Sequence, residues 1–330
     1  MNYIEIKYLK YQVILIILET TVISEVYQMK TVYLNDHISE NAVERLKAKV
    51  KLVDNLDNPE EIDAIIVRQQ YCTKEMIDKV KNCKLIQMHG VGMERIDVKA
   101  AEEAGIPVKN VHGGNAQSVA ELSVGLLLAL SRKITYINDG VKKGKFKTFG
   151  LPETEGNEIS DKTLGLVGGG QIARLTAKIM TSAFRAKVLV YDPFLSEESC
   201  HELGFEKKET LEELFSQSDF ISIHVPLLDS TRHIINKSVL DSSKKGLILI
   251  NTARGGIVDE DALYEALVEG KIKAAGMDVF EEQPPKVDNP LLSLDNFIGT
   301  IHVGGSTREA LERNGKVVVD NVFEALGITE

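Results

Sequence analysis

Cysteine is scarce in this chain, and its placement argues against disulfide bonds and against a cysteine-bound metal ion. The three cysteines, Cys72, Cys83 and Cys200, are odd in number and lie in unrelated sequence contexts. They provide no disulfide framework, no Cys-x-x-Cys pair and no cysteine–histidine cluster with the spacing of metal ligands. We therefore expect a protein without a metal site that works in a reducing compartment, the cytoplasm.

Two further absences narrow the range of partners. The net charge of −10 comes without any block of lysine and arginine, which argues against nucleic acid as a partner. The apolar run Val13–Leu18 is interrupted by Glu19 and Glu25, well short of the roughly 20 residues that a membrane-spanning helix needs. Because this run is short and no small-residue cleavage site follows it, we do not favour a signal peptide. No membrane association is expected.

Directly after Met29 the chain alternates short apolar runs with amphipathic segments, so residues 1–28 are interpreted as an extension of unknown role. The predicted strands are Thr31–Leu34, Ala64–Val67, Lys84–Met88, Gly105–Val108, Leu164–Val167, Lys187–Val190, Phe220–Val225, Gly246–Ile250, Ala274–Val279 and Phe297–Thr300. The predicted helices are Glu40–Ala48, Lys74–Val80, Val98–Ala104, Ser118–Arg132, Asp261–Glu269 and Glu309–Leu326. This alternation predicts an α/β fold with doubly wound parallel sheets, and 330 residues suffice for two domains.

One predicted helix is apolar on most of its faces. Ser118–Arg132 (SVAELSVGLLLALSR) must therefore be buried, either between domains, at a subunit interface or in the core of one domain. The last predicted helix, Glu309–Leu326, could return to cover the first domain.

The segment Leu164–Asp192 carries a dinucleotide-binding signature in its expected context of strand, turn, helix, strand and acid. Gly168 permits the tight turn, and Gly170 lets the backbone approach a pyrophosphate. Ala173 is small enough for the helix to pack closely on the strand. The helix that follows points its free N–H groups and positive dipole at that anion. Asp192 can accept the two hydroxyls of an adenine ribose and would repel a 2′-phosphate. The motif predicts a Rossmann domain that binds NAD rather than NADP.

Polar residues at two other strand ends are candidates for chemistry. Arg254 follows a buried strand without an acidic neighbour, so it could bind a substrate carboxylate bidentately or form a salt bridge between domains. His302 could protonate a carbonyl oxygen as hydride reaches the carbon, although a single histidine is also compatible with a structural role. The residues alone leave these alternatives open.

A set of segments then resembles the D-isomer-specific 2-hydroxyacid dehydrogenases, the family of phosphoglycerate dehydrogenase and glyoxylate/hydroxypyruvate reductase. The segments are GVGMERIDV (90–98), NAQSVAELSVGLLLALSR (115–132), GLVGGGQIAR (165–174), ISIHVPL (221–227), LINTARGGIVDEDAL (249–263), AAGMDVFEEQPP (274–285) and HVGGST (302–307). The resemblance implies a flavodoxin-like substrate-binding domain, residues 29–115 and 306–330, around a Rossmann NAD domain, residues 116–305. It also implies catalysis in the cleft between the domains and assembly as a homodimer.

The resemblance assigns roles to individual residues. Arg254 would bind the substrate carboxylate and polarise its carbonyl, and His302 would exchange the proton. The backbone N–H groups of Val91 and Gly92 would also bind the carboxylate, while Asp278 would hold the nicotinamide carboxamide. The other residues implied to contact the cofactor are Gly168, Gly170, Gln171, Ile172, Asp192, His224, Val225, Pro226, Thr252 and Ala253.

Position 283 departs from the family pattern. The family usually places a glutamate before the proline that follows DVF, whereas this chain has Gln283, as the related formate dehydrogenases do. The usual carboxylate favours the charged form of the catalytic histidine, so we expect a lower pKa for His302 than beside a glutamate. We favour an active reductase with an acid-shifted pH profile over a changed substrate or a weakened enzyme. A rearrangement of Glu281 or Glu282 could restore a carboxylate.

The preferred substrate is left open. Arg68 follows a predicted strand where phosphoglycerate dehydrogenases also place an arginine, and it could pair with a phosphate or second carboxylate, or lie on the surface. His89 and His112 match no family motif and are interpreted as local hydrogen-bonding residues. Since the chain stops at Glu330 soon after the last predicted helix, feedback control through a C-terminal serine-binding domain is not expected.

Three functions follow from these features. The leading hypothesis is NAD-dependent interconversion of a small 2-keto acid and its D-2-hydroxy acid, with 3-phosphohydroxypyruvate, hydroxypyruvate or glyoxylate as the keto acid. Formate-like chemistry is the second, motivated by Gln283. An NAD(H)-binding corepressor is the third, because some relatives use this fold in that way, although retention of Arg254 and His302 weighs against it.

Overall fold

The computed structural model describes residues 29–329, which form two compact units. The split unit runs to His112 and resumes at Leu311, whereas the central unit is the continuous stretch Gly113–Ala310. The predicted extension, residues 1–28, lies outside the described residues. Among the described residues, no helix is long and apolar enough to cross a membrane.

The split unit is built on a five-stranded parallel sheet with the order β2-β1-β3-β4-β5. Its strands are β1 (Thr31–Leu34), β2 (Lys51–Val53), β3 (Ile62–Val67), β4 (Leu85–Met88) and β5 (Val108–Lys109). Its helices are α1 (Glu40–Lys47), α2 (Lys74–Lys79), α3 (Val98–Glu103) and, from Leu311 onward, α11 (Arg308–Leu326). The strand order reverses between β1 and β3, which is the flavodoxin-like arrangement.

Both faces of this sheet are covered by helices, so its strands read as continuous apolar runs. Val32 and Ile66 point to the face covered by α1 and α11, where Phe323 packs. Ile65 and Ile86 point to the opposite face, covered by α2 and α3. The prediction that the last helix returns to cover the first domain is confirmed.

The central unit contains a seven-stranded parallel sheet with the order β12-β11-β10-β9-β6-β7-β8. Its strands are β6 (Thr163–Val167), β7 (Lys187–Tyr191), β8 (Glu206–Lys207), β9 (Phe220–Ile223), β10 (Ile248–Asn251), β11 (Ala274–Met277) and β12 (Phe297–Gly299). Its helices are α4 (Ala116–Ser131), α5 (Ile134–Lys142), α6 (Gln171–Phe184), α7 (Glu197–Glu202), α8 (Leu211–Gln217), α9 (Lys237–Asp241) and α10 (Glu260–Val268). The order reverses between β6 and β9, as in a Rossmann fold, and this reversal marks the ligand-binding edge. The predicted α/β class with two doubly wound parallel sheets is confirmed.

The apolar helix α4 lies in the core of the central unit. Ten of its 16 residues are buried, and it packs on α6 and on the middle strands of the sheet. It approaches β11 closely, since a Cβ atom at Gly276 would lie 3.1 Å from Cδ1 of Leu130. Of the three environments considered for this helix, the structure shows the core of one domain.

Several short helices escaped the sequence prediction although each carries a recognisable start signal. The side chains of Ser196, Thr210 and Asn236 cap α7, α8 and α9 by accepting a hydrogen bond from a first-turn amide. Such caps are sequence-level signals for a helix start. The apolar periodicity of these helices is too brief to be detected by itself, because each has seven residues or fewer.

Candidate active site

The turn between β6 and α6 can be made only by glycine at Gly168. This residue has φ +92°, and a Cβ atom there would lie 2.8 Å from Cγ1 of Val225 and 3.1 Å from the carbonyl oxygen of His224. Its amide donates to the carbonyl of Tyr191 at 2.9 Å, which ties the turn to the end of β7. The predicted cofactor residues Gly168, His224 and Val225 are thus in direct contact at the strand reversal.

The N-terminus of α6 offers room for an anion. Gly170 is its N-cap, and a Cβ atom built there would meet no heavy atom within 4 Å. The amides of Gln171, Ile172 and Ala173 have no acceptor within residues 29–329, because the first helical bond is the one from Arg174 to Gly170. Three free amides at the positive end of a 14-residue helix fit the pyrophosphate of a dinucleotide.

The carboxylate of Asp192 is held beside this turn by two backbone amides. Its Oδ2 accepts from the amide of Gly169 at 2.8 Å, and its Oδ1 accepts from the amide of Phe194 at 2.9 Å. The Nε of Arg174 donates to the carbonyl of Gly169 at 2.9 Å and fixes the other side of that residue. Each carboxylate oxygen keeps a lone pair for a ribose hydroxyl. Arg174 was missed in the sequence because its partner is a backbone carbonyl.

Replacing Asp192 with serine is expected to weaken NADH binding about tenfold and to improve NADPH binding relative to NADH, because two charge-assisted hydrogen bonds and the repulsion of a 2′-phosphate are lost. Fluorescence titration with both nucleotides measures the change. Asp139→Ser, which removes an exposed carboxylate paired with Lys143 on α5, is the matched control. An unchanged preference for NADH in Asp192→Ser would show that Asp192 does not read the ribose.

The ring of His224 is buried and neutral. Burial lowers the pKa of His224 to about 3, and its Nε2 has no hydrogen-bond partner in the described part of the chain. Its amide donates to the carbonyl of Val167 at 2.8 Å, which places the ring at the end of β9. Pro226, two residues on, uses its carbonyl to accept from Oγ1 of Thr231.

Asn251 shapes the loop that carries Thr252, Ala253 and Arg254. It is fully buried, its Oδ1 accepts from the amide of Ala253 at 3.1 Å, and its Nδ2 donates to the carbonyl of Arg254 at 3.0 Å. Thr252 shares a 2.8 Å hydrogen bond with the hydroxyl of Ser123 on α4. Sequence reasoning missed Asn251, although an asparagine directly after an apolar strand is a turn signal.

Arg254 is half-buried on a backbone that requires the glycine after it. A Cβ atom at Gly255 would lie 1.8 Å from the carbonyl oxygen of Phe280, so the loop can approach the segment after β11 only with glycine there. The guanidinium Nη1 of Arg254 donates to the carbonyl of Ala253 at 2.8 Å. The side chain of Asn251 and the close approach that Gly255 permits therefore set the conformation of this loop.

Asp278 anchors the loop that carries His302. Its Oδ1 accepts from Oγ1 of Thr300 and, at 2.8 Å, from the amide of Val303, while its Oδ2 accepts from the amide of Gly304 at 2.8 Å. Its carbonyl accepts from the amide of His302 at 2.7 Å. A carboxylate has about four acceptor positions, so these bonds leave roughly one for the nicotinamide carboxamide. That predicted role of Asp278 remains a prediction.

The structure brings His302 and Gln283 together. Nδ1 of His302 lies 2.9 Å from Oε1 of Gln283, and Nε2 of Gln283 donates to the carbonyl of Phe280 at 3.1 Å. Because the carbonyl of Phe280 can only accept, it fixes which end of the amide faces the imidazole. The amide oxygen then holds the proton of His302 on Nδ1 and orients the imidazole ring.

Neither Glu281 nor Glu282 replaces the missing carboxylate at position 283. Oε1 of Glu281 lies 2.8 Å from Nε2 of His233, and the carboxylate of Glu282 pairs with Lys286 at 2.7 Å. The rearrangement considered for these two glutamates is therefore wrong, because each has a partner elsewhere. The group beside His302 is the neutral amide of Gln283.

The remaining predicted residues lie in the split unit. Arg68 is half-buried, its Nη1 donates to the carbonyl of His37 at 2.8 Å, and burial lowers the pKa of its guanidinium. Val91 and Gly92 follow β4, and neither of their amides has an acceptor among residues 29–329. These two amides are therefore available to an anion.

The interpretation of His89 and His112 as local hydrogen-bonding residues is confirmed for the ring of His89, which hydrogen-bonds the backbone of the same residue, and is wrong for the ring of His112. Nε2 of His89 is buried without a partner in the described part of the chain, and burial lowers the pKa of His89 to about 4. His112 is exposed, and its ring has no hydrogen-bond partner within residues 29–329. Within the same residues, no group of histidine, cysteine, aspartate and glutamate is placed to hold a metal ion.

Comparison with known proteins identifies the family. Residues 124–304 match the family model of the D-isomer specific 2-hydroxyacid dehydrogenase, NAD binding domain, which confirms NAD as the cofactor. The chain is 43% identical over 309 residues to the hydroxypyruvate reductase of Thermotoga maritima, with 90% of this chain and 98% of that protein covered. It is 41% identical over 309 residues to the D-3-phosphoglycerate dehydrogenase of Methanocaldococcus jannaschii, covering 90% of this chain but only 58% of that protein.

A solved structure supports the same assignment. The D-lactate dehydrogenase of Aquifex aeolicus, complexed with NAD and lactic acid, superposes with a TM-score of 0.76 at 31% identity, covering 90% of this chain and 95% of that one. The fold, the dinucleotide turn and these comparisons agree. The chain belongs to the D-isomer specific 2-hydroxyacid dehydrogenase family and is an NAD-dependent oxidoreductase.

Proposed function

We propose that this enzyme uses NADH to reduce a small 2-keto acid to its D-2-hydroxy acid, with hydroxypyruvate, glyoxylate and 3-phosphohydroxypyruvate as the candidate substrates. The observation that carries the proposal is the His302–Gln283 pair, in which the amide oxygen of Gln283 orients the imidazole through Nδ1 on a loop anchored by Asp278. A dehydrogenase acting on a carbonyl needs such a positioned acid, whereas oxidation of formate does not.

In the proposed reaction, Arg254 and the amides of Val91 and Gly92 bind the substrate carboxylate. Arg254 also polarises the keto group, because a fixed positive charge stabilises the oxyanion that forms there. His302 donates the proton from Nε2 to that oxygen. NADH, when bound, supplies the hydride to the carbonyl carbon. One keto acid, one NADH and one proton thus give one hydroxy acid and one NAD⁺.

The cofactor is assigned to the central unit. The pyrophosphate is proposed to accept from the free amides at the start of α6, next to Gly170, and the adenine ribose to donate to Asp192. The nicotinamide end is assigned to Asp278 and to the loops after β9 and β10. The residues of those loops are His224, Val225, Pro226, Thr252 and Ala253. The domain roles follow: residues 116–305 bind NAD, and residues 29–115 and 306–330 bind the substrate.

The identity of the acid depends on Arg68. Arg68 directly follows β3, at the carboxyl edge of the sheet where ligands bind, and its half-buried guanidinium can pair with an anion. We assign Arg68 to a second anionic group of the substrate, such as a phosphate. Preference for 3-phosphohydroxypyruvate over hydroxypyruvate, lost on replacing Arg68 with alanine, would support this assignment.

The experiment that tests the proposed function is loss of NADH absorbance with purified protein against 3-phosphohydroxypyruvate, hydroxypyruvate, glyoxylate and pyruvate, each at several pH values. Turnover with one of these acids supports the proposal. Production of NADH from formate, with no keto acid present, would instead support formate-like chemistry. Tight NADH binding without any turnover would support an NAD(H)-binding corepressor.

Replacing Gln283 with glutamate is expected to extend keto-acid reduction to higher pH. A carboxylate 2.9 Å from Nδ1 would stabilise the imidazolium form of His302, which is the form that donates the proton, so the basic limb of the profile should rise by about one pH unit. The measurement is kcat/KM against pH. Gln217→Glu adds the same charge at the exposed end of α8 and serves as the control. Identical profiles for Gln283→Glu and wild type would show that position 283 does not tune His302.

The assembly is proposed to be a homodimer in the cytoplasm. Helix α5 and the segment after it expose the apolar side chains of Ile134, Val141 and Phe149, of which Phe149 is 99% exposed. Burying these side chains against a second copy would remove them from water. The three cysteines, all free and buried, are compatible with a reducing compartment.

A further inference from the structure

Backbone carbonyls of the loop after β4 accept hydrogen bonds from other residues of the split unit. The carbonyl of His89 accepts from Nδ2 of Asn314 at 2.9 Å, and the carbonyl of Val91 accepts from Nδ2 of Asn110 at 2.7 Å. Between them, the carbonyl of Gly90 accepts from a backbone amide, that of Val111, at 2.9 Å. Three consecutive carbonyls are thus fixed by groups from α11 and from the segment after β5.

Fixing a carbonyl also fixes the amide on the other side of the same peptide. A trans peptide is planar, so its C=O and N–H point in opposite directions. When the carbonyls of Gly90 and Val91 are bound within the unit, the amides of Val91 and Gly92 must point away from those donors. Neither amide has an acceptor among residues 29–329. The loop therefore presents two successive free amides, an arrangement that binds anions.

The side chain of Asn314 uses its donor but not its acceptor. It is 5% exposed, and its Oδ1 has no hydrogen-bond partner in the part of the chain that the structure describes. A buried acceptor without a partner lowers the free energy of unfolding. The hydrogen bond from Nδ2 to the loop is the interaction of this side chain that offsets that loss. Asn314 lies one helical turn before Val318, which packs in the core. Helix α11 thus places an asparagine side chain against the loop after β4.

We propose that Asn110 and Asn314 are positioning residues that hold the loop after β4 so that the amides of Val91 and Gly92 face the substrate carboxylate. This inference rests on the proposed function, because it takes the ligand of those amides to be the carboxylate of a 2-keto acid. Asn110 acts on the peptide that ends in the Gly92 amide. Asn314 fixes the start of the loop by holding the carbonyl of the His89–Gly90 peptide.

The test compares two variants with a control on the same helix. Asn314→Leu and Asn110→Ala remove the loop donors, whereas Asn321→Leu removes a similar donor that bonds Oε1 of Gln87 at 2.9 Å and does not touch the loop. Leucine at position 314 fills the space of the amide and removes an unsatisfied buried acceptor, so the fold should be retained. Thermal melting of each variant checks this.

Each loop variant is expected to raise the KM for the keto acid about tenfold, because one charge-assisted hydrogen bond from the loop to the substrate carboxylate is weakened. The kcat should stay within about threefold of wild type. Binding of oxamate, a carboxylate probe, to the enzyme–NADH complex should weaken by the same factor in calorimetry. Affinity for NADH should not change. Asn321→Leu should match wild type in every one of these measurements.

Different failures are distinguishable. Wild-type turnover, with both loop variants behaving like Asn321→Leu, would overturn the positioning roles and leave the proposed function standing. Oxamate binding that depends on Asn110 and Asn314, without turnover of any keto acid, would overturn the function and support the positioning roles. Absence of oxamate binding to the wild-type NADH complex would overturn the positioning roles.

Discussion

Replacing Arg254 with alanine is expected to lower kcat/KM for the keto acid by about 10³-fold or more while leaving NADH affinity nearly unchanged. The variant loses a charge-assisted pair with the substrate carboxylate and the charge that polarises the keto group, together worth roughly 4 kcal/mol. Asn251 and Gly255 set the conformation of this loop, so the fold should be kept. Steady-state kinetics and fluorescence titration with NADH measure the two effects.

Two further variants separate the contribution of the positive charge of Arg254 from that of its planar guanidinium and provide a control. Arg254→Lys keeps the charge but not the planar fork, so it should recover part of the activity and remain about 10²-fold below wild type. Arg232→Ala removes an exposed arginine whose Nη1 approaches Gly256 on the same loop, and its activity should stay near that of wild type. A loss of NADH affinity in Arg254→Ala, with chemistry otherwise retained, would assign Arg254 to the cofactor or to the fold.

Replacing His302 with asparagine is expected to lower kcat by about 10²- to 10⁴-fold, because no other group is assigned to protonate the keto oxygen. Asparagine is the suitable replacement, since His302 has φ +60° and asparagine tolerates this left-handed backbone better than most residues. The pH dependence that reports the imidazole should disappear with the activity. Measurement of kcat over the accessible pH range tests both effects.

His233 provides a matched control for this variant. It is also a histidine with a left-handed backbone, at φ +49°, and its ring pairs with Glu281 at 2.8 Å. His233→Asn should therefore retain kcat within about threefold, since it changes the same residue type in the same conformation away from the assigned proton donor. Full activity in His302→Asn would show that the proton comes from elsewhere and that His302 has a structural role.

The sequence predicted those parts of the fold and site that depend on local pattern. Runs of apolar residues are recognisable without tertiary information, so the strands through Leu85 and Ile250 and the long helix α4 were predicted within a few residues. The dinucleotide turn was predicted because its chemistry requires glycine at fixed positions. Asp192 was recognised because it stands directly after the second strand.

The rest depends on contacts between segments far apart in the chain. Asn314 and Asn110 act through carbonyls of the loop after β4, and nothing local to either residue marks that partner. Asp278 was assigned to the nicotinamide from the resemblance, whereas most of its acceptor positions are used by the His302 loop, about 25 residues on. Glu281 was considered as a replacement carboxylate because its pairing with His233 cannot be read from sequence.

NADH-dependent reduction of a 2-keto acid to the D-hydroxy acid is tested most directly with hydroxypyruvate. NADH oxidation by the purified enzyme is followed, and the chirality of the glycerate formed is determined. One D-glycerate is expected for each NADH consumed, with activity that falls as the pH rises and His302 loses its proton. Formation of L-glycerate, or no oxidation of bound NADH with hydroxypyruvate, glyoxylate, pyruvate or 3-phosphohydroxypyruvate, would contradict it.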